Sequence, residues 1–217
     1  TEHIIEQVHD KLALLGGPDV TTVSRLDLPT SGVLVIALGS RSSMSANYVF
    51  AQFAGRLAMK TYHCLCSGHG LSSIGSKAVR TAPLSIVTAI DASRACVSTV
   101  GGLEACTLLL VKACYHLTGP DHMQDGIFTF VEARPITGRT HQIRVHLASL
   151  GRPLVSDAAY GSETHGGDSQ WCPRLFLHCS RVTLKDVDGK RCHAEAPLSS
   201  DLISALGVLR RVDVVGA

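Results

Sequence analysis

The chain has 217 residues, of which 45% are hydrophobic and 18% are charged, and its formal net charge is +2. This length and composition allow one folded domain with a sizeable core and exclude a chain that is disordered by composition. The nearly balanced charge also excludes a protein that binds polyanions through its overall charge, so any such site must come from local basic clusters.

The cysteines and the apolar runs indicate the compartment. Eight cysteines can form a disulfide framework, but such frameworks mainly stabilise small secreted domains, and no pair has the Cys-x-x-Cys spacing of a zinc site. No apolar run is long enough to span a bilayer. We therefore expect reduced thiols, no membrane association and an intracellular location, cytoplasmic or organellar, with no targeting signal visible in this fragment.

Hydrophobic spacing predicts helices and strands in the first third of the chain. Apolar residues recur three and four positions apart where a helix is predicted, and β-branched residues are concentrated where a buried strand is predicted. The predicted elements are a helix over 1–15, a buried strand over 32–38, a helix over 43–59 with Ser42 or Ser43 as its cap, and a strand over 60–66.

The rest of the chain mixes strands and helices without a regular βαβ rhythm. Residues 67–126 are rich in Gly, Ser and Thr and carry little information, with 97–100 and 108–111 as candidate strands. The later elements are a strand over 127–133, a helix over 140–150 that Thr140 could cap and that has Ile143, Leu147 and Leu150 on one face, a polar loop over 162–170, a strand over 174–184 and a closing helix over 200–209. This order indicates an α+β fold with a mainly antiparallel sheet.

Asp27 is the first residue with the chemical character of a catalytic group. It lies just ahead of the predicted buried strand and two residues after Arg25. A neighbouring cation keeps a carboxylate ionised, and an ionised Asp can act as a nucleophile or a base. The alternative is a turn residue, because 28–32 supplies ordinary turn chemistry, and composition alone favours that reading.

Segment 133–156 contains no Asp or Glu but carries Arg134, Arg139, Arg144 and Arg152. Guanidinium groups make planar, bidentate contacts with phosphate, and a helix that starts within the segment adds backbone N–H groups. The segment therefore predicts an anion site, with phosphate as the anion and RNA as the polymer. The alternative is a solvated basic face.

Two histidines and one tyrosine in the same regions have weaker signals. His141 and His146 are five residues apart, whereas metal-binding pairs on a helix prefer a spacing of four. We therefore expect no metal site, and the absence of a Gly-x-Ser-x-Gly elbow argues against a Ser-His-Asp hydrolase. Tyr62 is either an ordinary half-buried aromatic residue or a surface on which a base stacks.

These separate hints fit one family, because ordered sequence blocks resemble those of the RluA-type pseudouridine synthases. The block over 137–147 carries the most specific resemblance. The blocks are Arg25-Leu26-Asp27 with Thr30-Ser31-Gly32, Gln52-Phe53 with Lys60-x-Tyr62, Thr137-Gly138-Arg139-Thr140-His141-Gln142-Ile143-Arg144-Val145-His146-Leu147, Asp157-x-x-Tyr160-Gly161, Leu175-x-Leu177-His178 and Ala196-Pro197-Leu198.

The resemblance implies a fold, a reaction and a partner. The fold is an α+β catalytic domain with a long, bent, mostly antiparallel sheet, flanking helices and a central cleft. One such domain would occupy 1–217, without the family's opening strand and without an S4-type domain; because the chain starts at Thr1, we interpret it as part of a longer protein. The reaction is the isomerisation of uridine to pseudouridine in rRNA or tRNA by a monomer, without cofactor or metal.

The resemblance also assigns roles to residues of the site. Asp27 would be the nucleophile, attacking the sugar or assisting formation of a glycal. Arg144 would keep Asp27 anionic, with Arg139 as the alternate partner. Tyr62 would stack on the uracil and help proton transfer at C5.

Further residues would bind the substrate. Arg25 would extrude the target nucleotide or fill the gap that it leaves. Leu177 would form an apolar wall of the base pocket, and Arg139 and His141 would contact the RNA. Ser24 stands where the family usually has His, which leaves a second hypothesis open: a non-catalytic RNA-binding module or RNA chaperone on the same fold. A third hypothesis, a metal protein rich in cysteine and histidine, disagrees with the ligand spacing.

Overall fold

The structure is a computed structural model that describes residues 10, 19–71, 73–82, 84–88, 93–98, 101–117, 126–161 and 165–212. The helix predicted over 1–15 lies outside these described residues, apart from Asp10. The strands are β1 (Val20–Thr22), β2 (Ser31–Gly32), β3 (Ile36–Leu38), β4 (Met59–Ser67), β5 (Lys77–Thr81), β6 (Leu84–Thr88), β7 (Ser93–Val97), β8 (Cys106–Leu117), β9 (Gly126–Pro135), β10 (Leu177–Lys185), β11 (Arg191–Glu195) and β12 (Arg210–Val212). The helices are α1 (Met44–Ala54), α2 (Gln142–Ala148), α3 (His165–Asp168) and α4 (Ser200–Gly207).

An eight-stranded sheet forms the centre of the fold. Its strands run in the order β11-β10-β4-β9-β8-β12, with β2 beside β10 and β5 beside β8. Every pairing in it is antiparallel except that of β2 with β10. Two separate pairs, β1 with β3 and β6 with β7, accompany it. The mainly antiparallel α+β architecture predicted from the sequence is confirmed.

The core covers both faces of this sheet. Along β4 the side chains of Cys64 and Cys66 pack on one face with Leu147 of α2. Leu65, between them, packs on the opposite face with Leu202 of α4. This alternation is the geometry of a strand, and it explains the Cys-x-Cys spacing without any metal. None of the described helices combines the length and the apolar character needed to cross a bilayer.

The continuous buried strand predicted over 32–38 is wrong. The segment divides into β2, which pairs with β10, and β3, which pairs with β1. Gly32 causes the break, because its φ of +111° is a conformation that other residues rarely adopt, and a Cβ there would overlap the carbonyl of Cys179. The chain therefore passes close against β10 and then turns away to cover α1.

The helix predicted over 43–59 is confirmed in its first three turns. Ser43 caps it by accepting a hydrogen bond from the Ala46 N–H, at 3.2 Å. It ends at Ala54 rather than at 59, because Gly55 and the left-handed Arg56 (φ +58°) lead into β4.

Later predictions are confirmed with shifted bounds or corrected. The strands over 127–133 and 174–184 and the closing helix correspond to β9, β10 and α4, and 108–111 lies within β8. The polar loop over 162–170 instead contains α3 in its described part. Thr140 does not cap α2: His141 occupies the cap position in the left-handed region (φ +53°) and makes no side-chain cap bond. Leu150 lies beyond the end of α2 and is 39% exposed.

Candidate active site

A cleft of about 610 Å³ opens between the loop before β2, the start of β4 and the loop that leads into α2. The residues singled out from the sequence converge there from four separate segments of the chain. All seven of them line the cleft: Arg25, Asp27, Tyr62, Arg139, His141, Arg144 and Leu177. The sheet brings them together because β4 pairs with both β9 and β10.

Asp27 projects from a turn that neighbouring segments hold in place. The N–H of Thr30 donates to the Asp27 carbonyl at 2.8 Å and closes the turn. Arg174 donates to the Pro29 carbonyl at 3.0 Å and to the Ser31 hydroxyl at 2.9 Å. The Asp27 side chain is 27% exposed, so its carboxylate is accessible from the cleft without being freely solvated.

Arg144 is the cation beside Asp27, but its tightest partner is another carboxylate. Its Nη1 lies 3.6 Å from Asp27 Oδ2, whereas its Nε and Nη2 donate to the two oxygens of Asp157 at 2.8 and 2.7 Å. The guanidinium also lies over the Tyr160 ring, with 5.1 Å between Cζ and the centroid. Asp157 and Tyr160 thus fix the plane of Arg144 and leave one edge of it facing Asp27.

The electrostatics of this group keep Arg144 charged. Burial by itself would lower the pKa of Arg144, but the hydrogen bonds and charge of Asp157, with Asp27 behind them, raise the pKa above its ordinary value. Asp157 received no role from the sequence, although the Asp-x-x-Tyr-Gly block contains it. The block shows the spacing between Asp157 and Tyr160, but it does not reveal that Asp157 pairs with Arg144.

His141 also approaches the Asp27 carboxylate. Its Nε2 lies 3.9 Å from Asp27 Oδ2, and its Nδ1 lies 2.9 Å from the Tyr160 hydroxyl. Burial and the charge of Arg144 lower the pKa of His141, although Asp27 opposes them. At neutral pH the imidazole is therefore uncharged, and Arg144 supplies the positive charge next to the Asp27 carboxylate.

Tyr62 stands across the cleft on β4, paired with Ala133 on one side and Cys179 on the other. Burial is the main cause that raises the pKa of Tyr62 well above its usual value, and the charge of Asp27 adds to it. The phenol therefore keeps its proton and is a hydrogen-bond donor or a stacking surface rather than a base.

The other predicted residues surround this centre. Arg25 is exposed and donates to the Thr140 hydroxyl at 3.4 Å, and Arg139 donates to the Glu104 carbonyl at 3.1 Å. Leu177 is buried, with 3% exposure, at the start of β10. Arg139 therefore does not pair with Asp27, which leaves Arg144 as the partner.

The basic segment 133–156 does not form one patch. Arg134 donates to Glu132 at 2.8 Å, and Arg152 donates to the His69 carbonyl at 2.7 Å, so both point away from the cleft. The strand, loop and helix within the segment direct the side chains differently, which a count of arginines cannot reveal. Only Arg139 and Arg144 of the four line the site.

A buried amide holds the loop between β9 and α2. Gln142 Oε1 accepts from the Thr137 hydroxyl at 2.6 Å and from the Arg139 N–H at 3.1 Å. Gln142 Nε2 donates to Thr107 Oγ1 and to the Cys106 carbonyl, both at 2.9 Å. All four hydrogen-bonding positions of the amide are satisfied, so the loop that presents His141 is rigidly anchored.

His146 serves the interior rather than a metal. It is fully buried, with Nδ1 at 2.9 Å from the Thr107 hydroxyl and Nε2 at 3.2 Å from the Ala82 carbonyl. It therefore does not share a site with His141. Within the described part of the chain, no three His, Cys, Asp or Glu side chains form a group that could hold a metal ion.

Comparisons with known proteins agree with this geometry. A family model described as RNA pseudouridylate synthase matches residues 5–149. The tRNA pseudouridine synthase C of Vibrio vulnificus is 31% identical over 186 residues, which cover 84% of this chain and 71% of that protein. The ribosomal large subunit pseudouridine synthase C of Rickettsia prowazekii is 28% identical over 183 residues, covering 84% of this chain and 54% of that protein.

A solved structure shows the same fold. The human RNA pseudouridylate synthase domain containing 1 protein superposes with a TM-score of 0.71 and 24% identity, over 91% of this chain and 76% of that chain. The chain spans about half the length of several curated relatives that it matches. The family match nevertheless covers more than half of the chain and includes the Asp27 turn, Tyr62 and Arg144. The chain belongs to the RNA pseudouridine synthase family.

Proposed function

We propose that the chain isomerises uridine to pseudouridine within RNA and that Asp27 is the nucleophile. One observation supports this above all: the partly exposed Asp27 carboxylate faces a guanidinium that a second, fully buried carboxylate holds in place. An anion kept charged and accessible in a cleft is suited to attack an electrophilic carbon. The seven candidate residues form one catalytic and substrate-binding set.

The chemistry follows from the groups in the cleft. The Asp27 carboxylate attacks C1′ of the target ribose, the N1–C1′ bond breaks, and the bonding electrons leave with the uracil anion. The uracil turns and C5 forms a bond to C1′ as the bond to Asp27 breaks. C5 then loses its proton and N1 gains one, so atoms and charge balance without an added reactant.

The other residues have supporting roles in this proposal. Tyr62 and Leu177 hold the uracil between an aromatic ring and an aliphatic wall. Tyr62, which keeps its proton, contributes a donor rather than a base. Arg25 and Arg139 at the mouth of the cleft contact phosphates of the extruded nucleotide. The proposed substrate is a uridine of rRNA or tRNA, the two classes that the names of the relatives contain.

Mapping of pseudouridine in RNA from cells with and without the active protein tests the proposal and identifies the target. Asp27→Asn should abolish the modification while RNA affinity changes little. Glu195→Gln, which alters an exposed carboxylate that contacts Arg181, is the matched control and should leave the map unchanged. An Asp27→Asn protein that still produces the full map refutes the nucleophile, and cellular function retained without any modification favours the RNA-binding module.

A further inference from the structure

A second chamber adjoins the catalytic cleft, and its role is not part of the proposed reaction. It is partly open to solvent and has a volume of about 1080 Å³. It shares with the cleft a wall that includes Arg25, Lys60, Tyr62, Gly138 and Arg139. Occupants of the two spaces would therefore be direct neighbours, separated only by the residues of that shared wall.

Positive charge is concentrated at this shared wall. Lys60, Arg25 and Arg139 line both spaces, and the described residues include no carboxylate within ion-pair distance of Lys60. A Cβ added to Gly138 would lie only 3.3 Å from Lys60 Nζ, so the glycine leaves the amino group uncovered. The junction between the two spaces is thus built to face an anion.

Beyond the junction the residues that line the chamber are mainly apolar, together with Ser24 and Arg56. Phe53 of α1 offers an aromatic ring, and Val33, Ala58 and Val182 line the space around it. No acidic side chain occurs among the described lining residues. Arg56, which also lines the chamber, lies 3.7 Å from the carboxylate of Glu104. An aromatic and aliphatic pocket entered past cations matches a nucleobase that follows a phosphate.

We propose that this chamber takes the base of the nucleotide next to the target uridine, and that the phosphodiester joining the two lies beside Lys60, Arg25 and Arg139. This inference rests on the proposed function, because it assumes a uridine in the cleft. The enzyme then holds two consecutive unpaired nucleotides, so its substrate must be an RNA segment in which the target and one neighbour leave the stack together.

Ala54 and Ala51 provide a matched pair of variants. Both are exposed residues of α1, but only Ala54 lines the chamber, and neither lines the cleft. Ala54→Leu narrows the chamber, and Ala51→Leu makes the same change outside it with the same effect on helix propensity. Leucine fills space without offering an aromatic surface that could itself stack on a base.

The probes are uridylyl-uridine and its two analogues in which one uracil is replaced by hydrogen, because the three carry the same charge. Binding is measured by NMR titration at millimolar concentrations. Ala54→Leu should weaken the binding of uridylyl-uridine by about tenfold, which is the contribution expected of one stacked base. It should leave unchanged the affinity for the analogue that lacks the neighbouring base. Ala51→Leu should leave the affinity for all three probes unchanged.

Two results overturn the inference: uridylyl-uridine binds Ala54→Leu as tightly as wild type, or Ala54→Leu weakens both abasic analogues as much as the intact dinucleotide. Absence of any measurable binding of uridylyl-uridine overturns it as well. The titration requires no turnover, so its outcome is separate from that of the pseudouridine map. An inactive protein that shows the tenfold pattern would refute the proposed reaction and support the two-nucleotide site.

Discussion

Removal of the charge on Asp157 should lower both the free energy of unfolding and the rate of the proposed reaction. The Arg144 and Asp157 side chains are 7% and 0% exposed and are joined by two hydrogen bonds of 2.8 and 2.7 Å. Loss of one partner from a buried pair leaves an uncompensated charge and costs about 3–5 kcal/mol. In Asp157→Asn one oxygen acceptor remains and Asp27 lies near, so we expect the lower end, about 3 kcal/mol.

The same change should slow the reaction. Once Asp157 no longer holds it, the Arg144 guanidinium is free to turn from its present 3.6 Å separation into a direct hydrogen bond with Asp27. A more tightly paired carboxylate is a weaker nucleophile, so the single-turnover rate should fall while RNA affinity changes little.

Asp27→Asn is the variant with which Asp157→Asn should be compared. Asp27 is 27% exposed and lies at 3.6 Å from Arg144, so its removal should cost under about 1 kcal/mol of folding free energy while activity is lost. Urea unfolding and single-turnover modification of the mapped RNA measure the two effects. Equal destabilisation by the two variants, or an Asp157→Asn protein that unfolds at the urea concentration of wild type, would refute this division between the carboxylates.

The remaining predictions concern a glycine, a tyrosine and an arginine. Gly32→Ala should cost roughly 3 kcal/mol or more in urea unfolding, because its φ is +111° and a Cβ would overlap the backbone of β10; Gly75→Ala, at φ +82° in open space, is the control and should cost about 1 kcal/mol. Burial raises the pKa of Tyr62 well above 10.0, so Tyr62 should not titrate in the pH–rate profile below pH 10. Below that pH the profiles of wild type and Tyr62→Phe should therefore have the same shape. Hydrogen bonds from Arg174 lower the pKa of Asp201 from 3.8 to about 2, so the pair stabilises the fold above pH 3.8 and that contribution is lost as the pH falls through 2. The free energy of unfolding should therefore fall less steeply with decreasing pH in Arg174→Gln than in wild type over this range. An equal dependence on pH in the two proteins contradicts the assignment.

The fold class and several elements could be predicted because their signals are local. The cap of α1 is a serine at the right offset, and the alternation along β4 reports which side chain faces which layer. The split of 32–38 could not be predicted from hydrophobicity. It depends on the close approach of Gly32 to β10, a strand about 150 positions later in the chain.

The site was predictable only through the resemblance to a family. Asp27, Tyr62 and Arg144 lie on separate elements, and nothing in their spacing places them in one cleft. The acid-free arginine segment was a partly misleading signal, since Arg134 and Arg152 serve other contacts. A sequence shows the types of side chains that are available, but their directions come from the strand and helix that carry them.

Asp157 is the residue that sequence reasoning missed, and the balance of charge around Arg144 explains what Asp157 contributes to the site. Arg144 faces two carboxylates, so the three groups together carry one negative charge. In the proposed reaction Asp27 becomes a neutral ester and its charge leaves with the uracil. If Asp27 were the only partner, this step would leave a buried guanidinium unpaired at the moment of reaction. Because Asp157 keeps Arg144 paired throughout, the nucleophile can gain and lose its charge without changing the electrostatic balance that the fold requires.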